Sequence, residues 1–180
     1  KKNLAAHLDG ARIFNAATQL DMKVKDLCAG FDSVSSCLSK GLGAPAGTVL
    51  LGSKALIDRA KRARKILGGG MRQAGVIAAA GLYALENNVE RLRDDHANAE
   101  RLARGLRELG LDIQLNTNMV LVRIPAEKAQ PLAEHLKKQQ VIVLPRAPMR
   151  LVTHLDVDAA GIDRAIAGFR SFFQYSGTEP

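Results

Sequence analysis

Two short stretches of this chain carry side chains suited to covalent and acid–base chemistry. In HLDGAR, Asp9 closes an apolar run and is followed at once by Gly10. In SVSSCLSKGLGAP, Lys40 closes a second run and is followed by Gly41 and Gly43. A lysine among glycines sits where the backbone can approach a flat or bulky ligand, because glycine tolerates positive φ and has no Cβ in the way. A lysine amine becomes a carbonyl-binding, Schiff-base nucleophile when it is partly neutral, which burial and neighbouring cations favour. A pyridoxal phosphate ring held by such a lysine needs a carboxylate beside its pyridine nitrogen, to keep the ring protonated and able to draw electrons. Lys40 fits the first task and Asp9 the second. Alone, an Asp-Gly is the usual material of a turn and a Lys-Gly that of a helix end or surface loop; only the pair points to a cofactor.

Arginines supply the natural clamp for a carboxylate, since the planar guanidinium donates two parallel hydrogen bonds. Arg12 lies three residues past Asp9, and Arg150 opens RLVTHLDV far down the chain. Arg150 is also what a charge on an edge strand looks like. Arg72, after Gly68-Gly69-Gly70, is suited to a phosphate in its own or a neighbouring subunit, or to capping the preceding helix. His7 shares a strand face with Asp9 by two-residue alternation and is expected to brace it, not to act as the base. His96 reads as a packed core residue, His135 as exposed, and His154 as structural.

The elements that must position these groups follow from the patterning. Leu4–Leu8 and Asp32–Leu38 read as strands, with Asp9 and Lys40 past their carboxyl ends, where open α/β sheets place their ligands. Ala11–Leu20 reads as a short helix, Val24–Ala29 as a turn or two more, and Thr48–Leu51 as a third strand. Ser53 is placed to cap a basic helix carrying Leu56, Ala60, Ala63 and Leu67 at helical spacing. The three glycines end it. From Gln73 to Leu109 apolar residues recur at steps of three and four, and Gly110 is placed to stop that run. Such a helix would span about 50 Å, too long for one compact layer, so it is expected to link two domains, with a bend.

Beyond Gly110 the pattern reads β-α-β-β-α. Its strands are Met119–Ile124, Val141–Leu144 and Arg150–Thr153, with a helix around Leu132, Ala133 and Leu136. Asp158 caps a last helix with inner face Ile162, Ala165, Ile166, Phe169 and Phe173. This is a small α+β domain with helices on one sheet face. The expected division is residues 1–95, the C-terminal half of a large cofactor-binding domain ending in the linking helix, and residues 96–180, the small domain. The tail from Tyr175 onward is expected to fray.

Composition narrows the class. The 180 residues hold 26 Lys+Arg against 18 Asp+Glu, a formal charge of +8, and such a surface draws anions. The densest run, KRARK at 61–65, reads as a solvated helix face. No aromatics interleave with it, so the stacking platform of a single-strand nucleic-acid binder is missing. No run approaches the roughly 18 apolar residues of a membrane helix. Cys28 and Cys37 stand at no metal-like spacing and read as reduced thiols, so no metal, no nucleic acid, no membrane and a cytoplasmic setting are expected. The chain opens with Lys1-Lys2-Asn3 and enters a strand within three residues, which reads as the later part of a longer polypeptide.

HLDGARIFNA, CLSKGLGAPAG, GGGMRQAG with its AAAGLYAL continuation, and RLVTHLDV together resemble the low-specificity L-threonine aldolases. These are pyridoxal phosphate enzymes of the aspartate-aminotransferase fold (fold type I). The resemblance runs, in matching order, over nearly the whole chain. It implies the later half of a PLP-dependent transferase-like large domain, mostly parallel sheet with helices, plus a small α+β domain. It assigns Lys40 to the covalent link with the cofactor, Asp9 to the pyridine nitrogen, Arg12 to cofactor and substrate carboxylate, Arg150 to that same carboxylate, and Arg72 to the cofactor. It implies a homo-oligomer, a dimer of dimers with sites at subunit borders, that cleaves threonine-like amino acids to glycine and an aldehyde. The phosphate-cradling turn, the ring that stacks on the pyridine and the histidines assigned to the substrate hydroxyl have no counterpart in these residues. Another lyase of the same fold is the nearest rival. A basic anion-binding fragment working through residues 54–72 and a truncated paralogue serving as an assembly surface are the others.

Overall fold

A computed structural model describes residues 4–175 and divides the chain into two compact units, 1–92 and 93–180. The first three residues and residues 176–180 lie outside the described residues; of the tail expected to fray from Tyr175, Tyr175 itself is described, as the last residue of the final helix.

In the first unit, His7–Asp9 (β1) and Ser33–Cys37 (β2) pair in parallel, with His7 opposite Ser33 and Asp9 opposite Ser35. Parallel strands need a crossover; here it runs through Ile13–Leu20 (α1) and the single turn Val24–Leu27 (α2). Thr48–Gly52 (β3) adds on the other side of β2, antiparallel, so the sheet order is β1-β2-β3. An antiparallel edge on an otherwise parallel sheet is a common arrangement in α/β proteins. Lys54–Ile66 (α3) starts where Ser53 accepts the Leu56 N–H at 3.3 Å. It ends at the glycines, with Gly68 at φ +88°. The apolar positions along α3 do not bury: none of its residues is buried, and Leu67 just after it is 85% exposed.

The single helix expected over Gln73–Leu109 is instead two, Gly75–Asn87 (α4) and Leu92–Arg107 (α5). The cause is local. Asparagine side chains compete with the helix for backbone partners, and Asn87 Nδ2 donates to Tyr83 O while Asn88 Nδ2 donates to Leu42 O. The first unit's core is small: Leu38, Leu42, Ala44, Ala84 and Leu92, with Phe14, Leu85 and Val89 against them.

The second unit is built from α5, Asp112–Asn116 (β4), Met119–Arg123 (β5), Ala126–Lys138 (α6), Met149–Val152 (β6) and Ala159–Tyr175 (α7). Its sheet is antiparallel throughout, in order β4-β5-β6. The order of elements is therefore β-β-α-β-α after α5, not the expected β-α-β-β-α. Residues 112–116 form an additional strand, and Val141–Leu144, expected as one, is not. That run is extended and alternates half-buried Val141 and Val143 with exposed Ile142 and Leu144, yet among the described residues no strand pairs with it.

The unit closes on a continuous core that includes fully buried Leu106, Val120, Leu132, Leu136, Met149 and Phe169. Arg101 on α5 holds Asp163 on α7 through two bonds of 2.7 and 2.6 Å. A buried polar knot joins three elements: Asn118 Nδ2 donates to Thr153 O (2.8 Å), and Thr153 Oγ1 donates to Asp95 O (2.6 Å). Asp158 caps α7 by accepting the Gly161 N–H at 2.8 Å, and Gly110, at φ +78°, follows the end of α5. His96 is buried, as expected, and burial lowers its pKa from the usual 6.5 against the raising pull of Asp95 and Glu100. His135, expected to be exposed, is half-buried and bonded to Ser171 Oγ at 2.7 Å. No described helix is long and apolar enough to cross a membrane.

Candidate active site

Because β1 and β2 are parallel, their carboxyl ends lie at one edge of the sheet. Asp9 is the last residue of β1, and Lys40 comes three residues after β2 ends. The geometry around Asp9 is tight. Gly10 is buried and its N–H donates to Ser35 O at 2.8 Å; a Cβ there would lie 2.8 Å from that same oxygen. Glycine is thus the residue that lets the chain turn off β1 against β2. The turn leaves the Asp9 carboxylate exposed, with Oδ1 accepting the Ala11 N–H at 3.1 Å. Three residues on, Arg12 is half-buried, and its Nε is buried without a hydrogen-bond partner among the described residues. A buried, unbonded guanidinium nitrogen is costly unless an acceptor reaches it. That is the local mark of an anion site.

Behind Asp9 on the same face, His7 lies across β2. Its Nδ1 hydrogen-bonds Ser33 Oγ at 2.8 Å, and Ser35 Oγ stands 3.4 Å from its Nε2. Both ring nitrogens are therefore turned to serine hydroxyls. These contacts tie His7 to β2, and among the described residues no hydrogen bond joins it to Asp9, Arg12 or Lys40.

Lys40 sits on a packed loop. Leu38 before it and Leu42 after it are buried, while Ser39 and Lys40 are exposed. The turn is closed by Gly43 N–H to Lys40 O (2.9 Å) and Ala44 N–H to Leu38 O (3.0 Å). Gly43 takes φ +75°. Burial of the amine, one of the two ways to neutralise it, is not supplied here. No ion pair joins Asp9 to Lys40 among the described residues, so each charge remains open to a ligand.

The structure thus brings Asp9, Arg12 and Lys40 to one end of one sheet. Arg72 lies on the exposed stretch between the triple glycine and α4, and no hydrogen bond ties it to them among the described residues. Arg150 belongs to the second unit, exposed on β6 opposite Leu121, where it lines a groove of about 720 Å³ with Val141–Leu144, Thr153 and His154. Sequence reasoning missed the contacts behind Lys40. Asn88 Nδ2 donates to Leu42 O at 2.7 Å, Arg91 Nη1 to Gly41 O at 3.5 Å, and buried Asn15 faces Gly41. The one signal for them was Asn87-Asn88, two poor helix formers inside a periodic run.

This chain path is that of a known class of α/β enzymes. It superposes on a putative L-allo-threonine aldolase from Listeria monocytogenes with a TM-score of 0.79 at 19% identity, covering 94% of this chain and 52% of that one. With the threonine aldolase of Leishmania major the TM-score is 0.74 at 17% identity, with the same coverage. The fold is therefore the one those proteins share with the serine palmitoyltransferases and transaminases that also superpose on it.

A family model described as beta-eliminating lyase matches residues 1–127, and the chain belongs to that family. Among similar curated proteins, the low specificity L-threonine aldolase of Escherichia coli O157:H7 is 49% identical over 173 residues, covering 96% of this chain and 52% of the relative. A probable low-specificity L-threonine aldolase of Arabidopsis thaliana is 42% identical over 182 residues, covering 96% and 51%. The chain spans about half the length of the curated relatives it matches.

Proposed function

We propose that the protein is a pyridoxal phosphate-dependent aldehyde-lyase that cleaves L-threonine, L-allo-threonine and related β-hydroxy-α-amino acids to glycine and an aldehyde. The observation that carries this is the placement of Asp9 as the last residue of β1 and of Lys40 three residues past the end of the neighbouring parallel strand β2. The names of the relatives support it.

The residues fit the cofactor. Arg12 Nε is a buried donor in need of an acceptor, the Asp9 carboxylate is exposed with Oδ1 on the Ala11 N–H, and among the described residues no ion pair holds Lys40. Lys40 would hold the cofactor's aldehyde carbon, Asp9 its pyridine nitrogen and Arg72 its phosphate. When bound, the cofactor supplies an electron sink for bonds at the amino acid's Cα. The chain's own part is orientation and charge. Arg12 holds the substrate carboxylate, and Arg150 is the second arginine assigned to it. The Cα–Cβ bond breaks, the hydroxyl gives up its proton as the aldehyde forms, and Cα takes a proton to become glycine. His7, turned to Ser33 and Ser35, is not the base.

Residues 1–95 would belong to the large cofactor-binding domain and 96–180 to the small one. We place the protein in the cytoplasm, in keeping with the free thiols of Cys28 and Cys37. It would act there as a homo-oligomer, a dimer of dimers with sites at subunit borders. The deciding experiment is Lys40→Ala in the protein as its gene encodes it. The visible absorbance of bound cofactor and the release of aldehyde from threonine should both vanish; if both persist, Lys40 is not the cofactor lysine. The family's description favours one second reading, a lyase for another β-substituted amino acid. A panel of substrates scored for aldehyde release separates the two.

A further inference from the structure

Lys40 is held from behind by a corner of the fold that none of the site motifs includes. The two carbonyls that follow it, those of Gly41 and Leu42, both point at the connection between α4 and α5. Asn88 Nδ2 reaches Leu42 O at 2.7 Å in a half-buried setting, and Arg91 Nη1 reaches Gly41 O at 3.5 Å. Gly41 is wedged between two further side chains: a Cβ there would lie 3.0 Å from both Asn15 Oδ1 and Leu92 Cδ2. Leu42 is 3% exposed and Leu92 fully buried, in the same small cluster. The lysine's long side chain is free while its backbone is pinned on the far side.

We propose that Asn88 is a positioning residue: its amide latches the Leu42 carbonyl and so fixes the Cα of Lys40 relative to the end of β1, where Asp9 stands. The inference rests on the functional reading above. Asn88 keeps its own N–H in the α4 ladder, donating to Ala84 O at 2.9 Å, so its side-chain amide is the part that serves the loop. Misplacing a reacting group by about 1 Å costs on the order of a hundredfold in rate. A loosened latch should therefore act on turnover and leave amino-acid affinity, which belongs to the arginines, in place.

The test is Asn88→Asp in the complete protein, a change that keeps the shape and removes the donor. The expected result is a fall in kcat for aldehyde release of about tenfold to a hundredfold, with KM changed less than about threefold. In the cofactor-free protein, the amides of Gly43 and Ala44 should exchange hydrogen about tenfold faster than before, while β2 amides are unaltered. Unchanged kcat and unchanged exchange overturn the latch, and so does a KM effect without a kcat effect. Should Asn88→Asp fail to fold, Asn88→Ala is read the same way: faster exchange at Gly43 and Ala44 than in the unmodified protein supports the latch, and unchanged exchange overturns it. If Lys40→Ala leaves the cofactor's spectrum intact, the functional reading falls. Exchange in the cofactor-free protein still judges the latch.

Discussion

The two units of this chain solve the same problem differently. The second buries a continuous core that joins α5, β5, α6, β6 and α7, and among its described residues only Ile142, Leu144 and Leu155 are large apolar side chains left exposed. The first unit carries Asp9, Arg12 and Lys40 but buries only a small cluster, and it exposes apolar side chains along β3, α4 and the end of α3. Stability and chemistry are thus unevenly shared. The second unit is held by its own contacts. The first offers open strand ends and faces to other groups, which is what a ligand-binding edge requires.

The largest expected effect on this contrast comes from Leu136→Ala, which removes a fully buried side chain of the second core. It should cost about 2–5 kcal/mol, whereas Leu67→Ala in the first unit should stay within about 0.5 kcal/mol. Urea unfolding of both variants measures this. If Leu67→Ala proves as costly as Leu136→Ala, the first unit's apolar face is covered in solution and the contrast breaks. Next in size is Gly105→Ala. A Cβ there would meet three carbons of Ile166 at 2.6–2.9 Å, so α5 and α7 must part. The expected loss is about 1–3 kcal/mol. Adding Ile166→Ala should recover much of it, and a double-mutant cycle reads the coupling.

The smallest effect is a pH dependence confined to the second unit. Burial holds the His96 pKa below 6.5, so the unfolded chain binds that proton more tightly. The contribution of neutral His96 is complete above pH 6.5 and declines as the pH falls below it. Chemical denaturation at pH 7.5 and 5.5 should show the decline, and His96→Gln should flatten it.

What the sequence made readable was local chemistry with a short-range cause. Ser53, Asp158 and Gly110 act at helix ends where their types imply, and Lys40 stands past the end of β2, while Asp9, expected just after its strand, is the last residue of β1. The misses share a different cause. The strand at Asp112–Asn116 does carry period-two alternation, with half-buried Ile113 and Leu115 between polar residues, but over only five residues. Its pairing with β5 is a tertiary fact that the alternation does not contain. Val141–Leu144 has a strand's composition, but composition does not supply a neighbour. The broken helix at Asn88 and the bonded His135 depend on partners far away in sequence, Leu42 and Ser171, which periodicity does not reveal.

Val141–Leu144 also bears on how the polypeptide is made. Val141 and Val143 pack on a core that includes Ile162, Ala165 and Phe169 of α7, and α7 leaves the ribosome later. Until then the four residues form an apolar ribbon with free backbone groups, open to pairing with a neighbouring nascent chain. Pro145 and Arg146 follow at once. A proline and a charge placed there keep the ribbon below the roughly five to seven residues at which such segments become strongly self-adhesive.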